Sequence, residues 1–134
     1  MGEMKICLDT CAYSHFKRGT LSAVEVISRA RWVGVSTIVL GELRTGFRLG
    51  SHFDRNEIEL QEFLDSPVVH ILDVDNLATY HYAETVVALR RAGTPVPTND
   101  IWIAAIAIRE GAMIITYDTH FKRIHRVGIH LLEA

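Results

Sequence analysis

The chain has 134 residues, with 14 Lys and Arg against 16 Asp and Glu for a net charge of −2. It is long enough for one domain with a substantial core and too poor in positive charge to coat nucleic acid indiscriminately. Its hydrophobic share of 49% and charged share of 22% are ordinary for a globular protein. The longest apolar run extends only from Ile101 to Ile108, far short of the roughly 18 residues that suggest a membrane span.

The N-terminus, Met1-Gly2-Glu3-Met4-Lys5, lacks the apolar segment of a secretion signal, and Met4 is a second candidate start. Lys5 to Leu8 is predicted as a short apolar strand, followed by a helix over Thr10 to Lys17 that Gly19 breaks. Cys7 and Cys11 have no partners at metal-ligand spacing. They are expected to be two reduced, small core residues of a cytoplasmic protein. Leu21 to Arg31 has helical spacing, with a basic tail suited to a helix C-terminus. Trp32 to Ser36 is a second strand, after which Thr37 is placed to cap a helix over Ile38 to Leu49, stopped by Gly50.

A further amphipathic helix is predicted from about Phe53 to Leu64, and a third strand over Val68 to Leu72. Asp75 or Asn76 caps a long helix to Arg91, ended by Gly93. The stiff loop Thr94-Pro95-Val96-Pro97-Thr98 then delivers Asn99-Asp100 to the start of an apolar helix ending near Glu110 and Gly111. Ala112 to Thr116 is a fourth strand and Ile129 to Leu132 a short last one. Strands alternating with helices imply an α/β protein with a parallel sheet covered on both faces. Ligands of such sheets sit beyond the carboxyl ends of the strands.

Four acids stand out against this pattern. Asp9 follows one strand and Asp118 another, and Asp100 lies at a helix start. All three positions suit an N-cap, where a carboxylate meets the positive end of the macrodipole. Glu42 does not fit that account, because it lies past the first turn of its helix. Its neighbours three and four residues away are Ile38, Val39, Thr45 and Gly46, so no intrahelical ion pair is open to it. Like charges about 4 Å apart repel by roughly 4 kcal/mol at an effective dielectric near 20, so acids gathered at one sheet edge take up protons or bind a cation. Oxygen ligands favour Mg²⁺ or Mn²⁺. Zinc is disfavoured, because the seven histidines are scattered singly and are expected on the surface or at helix ends.

The segments around these acids resemble the motifs of PIN-domain ribonucleases. They are Leu8-Asp9-Thr10, then Ser36 to Gly46 around Gly41-Glu42-Leu43-Arg44, then Asn99-Asp100-Ile101-Trp102-Ile103-Ala104-Ala105, and Thr116-Tyr117-Asp118-Thr119-His120-Phe121. They occur in the family's order across almost the whole chain, and the likeness is greatest to VapC-type toxins of toxin–antitoxin pairs. Cys11 and Tyr117 depart from the polar residues common at their positions. The resemblance implies a three-layer α/β/α sandwich with a central parallel sheet, residues 1–134 forming a single nuclease domain. It also implies a Mg²⁺ or Mn²⁺ site made by Asp9, Glu42, Asp100 and Asp118, RNA as substrate, a cognate antitoxin, and a homodimer with no membrane association.

The expected reaction is hydrolysis of an RNA phosphodiester without a covalent enzyme intermediate. Asp9, Asp100 and Asp118 would hold the metal, while Glu42 ligates or accepts the proton of the attacking water. Thr10 and Thr116 are candidates to hydrogen-bond those ligands or a phosphate oxygen. Arg44 and Arg48 on one helix face, with Lys122, Arg123 and Arg126 in the run after Asp118, are candidates for contacts to the RNA backbone. A phosphatase using a strand-end aspartate as nucleophile is a rival, but its second acid would stand where Cys11 is. An RNA-processing nuclease without an antitoxin and a non-catalytic binding module complete the alternatives.

Overall fold

The computed structural model describes residues 4–134, so the choice between Met1 and Met4 as natural start lies outside the described residues. Five strands form one sheet: β1 (Ile6–Leu8), β2 (Val33–Ser36), β3 (Val69–Leu72), β4 (Met113–Thr116) and β5 (Ile129–Leu131). Their order is β3-β2-β1-β4-β5, and every neighbouring pair is parallel. Among the described residues there are six α-helices, α1 (Thr10–Lys17), α2 (Leu21–Arg29), α3 (Thr37–Leu49), α4 (Phe53–Leu64), α5 (Asn76–Ala92) and α6 (Thr98–Glu110). A 3-10 helix, Thr119–Arg123, follows β4. No helix among the described residues is long and apolar enough to cross a membrane.

Every residue of β1 and β2 is buried. Successive strand residues point to opposite faces, so unbroken burial means that helices cover both sides of the sheet, which is the α/β/α layering expected of a parallel sheet. The edge strands β3 and β5 are more open and carry His70 and His130 on exposed positions. Between β1 and β3, in β2, Gly34 is closely surrounded. A Cβ there would lie 2.6 Å from Leu72 Cδ1 and 2.9 Å from both Cys7 Sγ and Trp32 Cζ3, so only glycine fits the space as built.

Local boundaries follow capping chemistry. Ser36, not Thr37, caps α3: its backbone is extended, and its hydroxyl accepts from Val39 N–H at 3.2 Å, so Thr37 is already helical. Asp75 caps α5 by accepting from Ala78 N–H at 2.9 Å. Gly111, at φ 65°, closes α6 in the left-handed conformation that costs glycine least. The helix α2 stops at Arg29 because Ala30 is extended. Both cysteines are free, but only Cys7 is in the core; Cys11 is exposed. As the second residue of α1 it turns outward, while Ala12 and Tyr13 take the buried face. Burial pushes the Cys7 thiol up to about 12.

Candidate active site

The strand order makes the site. From β1 the sheet grows outward through β2 and β3, then returns to the other side of β1 for β4 and β5. The reversal lies between β1 and β4, and a crevice opens beyond the carboxyl ends of strands at such a switch point. Leu8 pairs with Ile115 in the β1–β4 register. Asp9 therefore leaves β1 beside Thr116, the last residue of β4.

Asp9 is 5% exposed and held by two donors. Its Oδ1 accepts from Ala12 N–H at 2.8 Å, as the N-cap of α1, and its Oδ2 accepts from the Thr116 hydroxyl at 2.5 Å. Burial raises its pKa above the usual carboxylate range; the Thr116 and Ala12 hydrogen bonds oppose that rise, and Asp118 and Glu42 add to it. Asp118 caps the 3-10 helix, its Oδ1 accepting from His120 N–H at 2.8 Å, while its own N–H donates to Thr116 Oγ1 at 2.9 Å.

Glu42 enters from the middle of α3. Its Oε1 accepts from the Thr10 hydroxyl at 2.5 Å and its Oε2 from Asn99 Nδ2 at 3.3 Å. Asp100 is the third residue of α6, whose N-cap is Pro97 with no side-chain cap bond. It is therefore not a capping residue, although the helix start still favours its charge. Burial, then the charges of Asp118, Glu42 and Asp9, push its carboxyl up to about 6, with His120 opposing. Acids from four separate elements thus act on one another at a single edge.

Whether a divalent cation fits is decided by what else is near. Among the described residues no Lys or Arg forms an ion pair with any of the four acids. One ligand atom from each of Asp100, Asp118 and His120 lies within 4.8 Å of the others. Carboxylates without a Lys or Arg partner, two of them raised in pKa by their surroundings, form a donor set that suits a hard metal ion.

Thr10 and Thr116 are both at the site as donors to acids, and Thr116 is fully buried. The basic residues are more dispersed. Arg44 is engaged by Glu57 through bonds of 2.9 and 3.2 Å, and the Arg48 guanidinium lies 4.6 Å over the Phe53 ring. Arg123 donates to the Pro95 carbonyl at 2.6 Å and Arg126 pairs with Glu84. Lys122 is exposed on the 3-10 helix. Two further residues stand at the site without a sequence signal that marks them, Asn99 and His120. Asn99 immediately precedes an acid at a helix start, and His120 follows Asp118 by two positions, a spacing that becomes meaningful only in a tight turn.

Residues 6–127 match the PIN domain family. The chain is 31% identical over 122 residues to Ribonuclease VapC2 of Rickettsia felis, spanning 87% of this chain and 90% of that protein. It is 35% identical over 96 residues to Ribonuclease VapC4 of Mycobacterium tuberculosis, with 72% and 74% coverage. Its fold superposes on the crystal structure of VapBC2 from Rickettsia felis bound to a DNA fragment from their promoter. There the TM-score is 0.84 and the identity 27%, over 97% of this chain and 100% of that one. For DNA-bound VapBC from Salmonella typhimurium the TM-score is 0.83 and the identity 28%, over 95% and 97%. With its acidic crevice, its sheet order and a match along most of its length, this chain belongs to the PIN-domain family, in the branch of the VapC ribonucleases.

Proposed function

We propose that this protein is a divalent-metal-dependent endoribonuclease and the toxin of a toxin–antitoxin pair, using Mg²⁺ or Mn²⁺. The observation that carries this reading is the meeting of Asp9, Glu42, Asp100 and Asp118 at the β1–β4 crevice without a Lys or Arg partner among the described residues. Asp9, Asp100 and Asp118 would hold the ion. When bound, it supplies Lewis-acid polarisation of the phosphate and a water of lowered pKa.

The chain's own contribution is orientation and proton acceptance. Thr116 and Ala12 fix both oxygens of Asp9, so that carboxylate is positioned before substrate arrives. Thr10 and Asn99 hold Glu42 in the same way. Glu42 takes the proton of the attacking water as its oxygen joins phosphorus. The P–O bond to the leaving ribose oxygen breaks, and that oxygen is protonated from solvent. Lys122, exposed on the 3-10 helix that Asp118 caps, and Arg48 would contact the RNA backbone, each as a phosphate anchor. The relatives' VapBC complexes support an antitoxin as partner, and a homodimer is part of the same reading.

The test is cleavage of mixed RNA by purified protein with Mn²⁺ or Mg²⁺, with and without chelator. Asp100→Asn is expected to abolish metal-dependent cleavage while retaining the circular dichroism spectrum of the folded chain. A fully active variant would remove the acidic site from the mechanism. Growth arrest on expression of this chain, relieved by co-expression of a cognate antitoxin, tests the toxin role separately.

A further inference from the structure

His120 belongs to the acidic crevice by geometry, not only by sequence proximity. Its ring Nδ1 is 3.1 Å from Asp118 Oδ1, the oxygen that also accepts its backbone N–H. A ligand atom of Asp100 lies within 4.8 Å of the corresponding atoms of both His120 and Asp118. Two atoms sharing one ion at about 2.2 Å each lie no more than about 4.4 Å apart, so the three groups need only a small adjustment to share it. The histidine is also held there. The next residue, Phe121, is fully buried, which pins the 3-10 helix, and the Asp118 cap closes its start. The imidazole thus faces acids from two elements, α6 and the turn after β4, and its side chain is 45% exposed, leaving room to turn.

Donor chemistry gives this placement a consequence. Carboxylates and water suit Mg²⁺ and Mn²⁺ alike, whereas an imidazole nitrogen is accepted by first-row transition-metal ions, Mn²⁺ included, more readily than by the harder Mg²⁺. We propose that His120 is a direct ligand of the divalent ion together with Asp100 and Asp118, and that this nitrogen makes the centre select Mn²⁺ over Mg²⁺. The inference rests on the metal-dependent reading above and adds to it both a nitrogen ligand and a metal preference.

The full chain, purified free of metal, is loaded with Mn²⁺ alone and examined by electron spin-echo envelope modulation, while calorimetry measures Mn²⁺ and Mg²⁺ affinities. The wild type is expected to show nitrogen-14 coupling from an imidazole and to bind Mn²⁺ about tenfold or more tightly than Mg²⁺. His120→Gln retains a polar side chain of similar reach but no imidazole. It is expected to lose the coupling and about tenfold of Mn²⁺ affinity, with Mg²⁺ affinity changed by no more than about twofold. Mn²⁺ bound without nitrogen coupling in the wild type overturns the proposal and leaves the nuclease reading standing. Failure of the wild type to bind either ion overturns both. Equal Mn²⁺ affinity in wild type and His120→Gln assigns the histidine to the outer surroundings of Asp118 and also overturns it.

Discussion

The Thr116 hydroxyl donates to Asp9 Oδ2 at 2.5 Å, joining residues 107 positions apart in the chain. It also accepts from Asp118 N–H at 2.9 Å, so one fully buried side chain sets two acids relative to each other. Thr116→Val keeps the shape but removes both bonds, leaving the Asp118 N–H and an Asp9 oxygen without that partner. The expected cost is about 1–3 kcal/mol of stability, read as a lower urea midpoint, and a drop of about 10–100-fold in cleavage. Thr116→Ser should retain most of both. A Val variant with wild-type midpoint and rate would show that the hydroxyl plays no part in ordering the site.

Metal-free protein should lose stability as pH rises from 5 to 7. Burial, then Asp118, Glu42 and Asp9, hold the Asp100 carboxyl at about 6 in the folded chain against 3.8 ordinarily. Between those values the folded state binds more proton than the unfolded state, so the stability change with pH is negative. Asp9 is raised too and acts in the same direction. Glu57, lowered by its hydrogen bond from Arg44, and Asp75, lowered by the Ala78 N–H and by Arg109, titrate at lower pH and do not offset this window. Thermal melts in chelator across pH 5–7 measure the slope. Added Mn²⁺ should raise the melting temperature more at pH 7 than at pH 5, because protons compete for the same oxygens.

Glu42 depends on Asn99 for one of its two donors. Because Asn99 is exposed, Asn99→Ala should change stability by no more than about 0.5 kcal/mol while lowering kcat by about tenfold, as loss of an orienting neighbour does. Steady-state cleavage of a defined RNA, paired with a melt, separates these effects. An unaltered kcat would mean that Thr10 alone orients Glu42.

Gly34→Ala probes the sheet rather than the site. The new methyl would meet Leu72, Cys7 and Trp32 at 2.6–2.9 Å, and overpacking of this kind costs about 1–3 kcal/mol. Because β2 is one strand removed from the β1–β4 crevice, the specific activity of the folded fraction should be preserved. Denaturant titration and activity measured on the same sample check both parts.

Much of this architecture is legible in the sequence. The apolar runs ending in Asp9 and Asp118, the glycines after α5 and α6, and the lack of a local partner for Glu42 all rest on short-range chemistry, which a linear sequence displays. The choice between Ser36 and Thr37 as cap was not readable, since both are hydroxyl residues and only backbone angles separate them. Asp100 looked like a cap because the prolines hide the true helix start at Thr98. Arg44, a candidate RNA contact by sequence, is engaged by Glu57 on the next helix, a pairing no local pattern shows. His120 sits in a turn too short to have a periodicity, so its approach to Asp100 emerges only from tertiary structure.

The strand order has one further consequence, which concerns synthesis. Asp9 is made early, yet the strand that flanks it on the site side, β4, comes from residues 113–116, and Asp100 and Asp118 arrive only in the last third of the chain. A nascent chain emerging N-terminus first therefore carries two of the four carboxylates and lacks the strand that aligns the first of them. A product that stops before β4 lacks the assembled crevice, which can form only once residues 113–118 have been made.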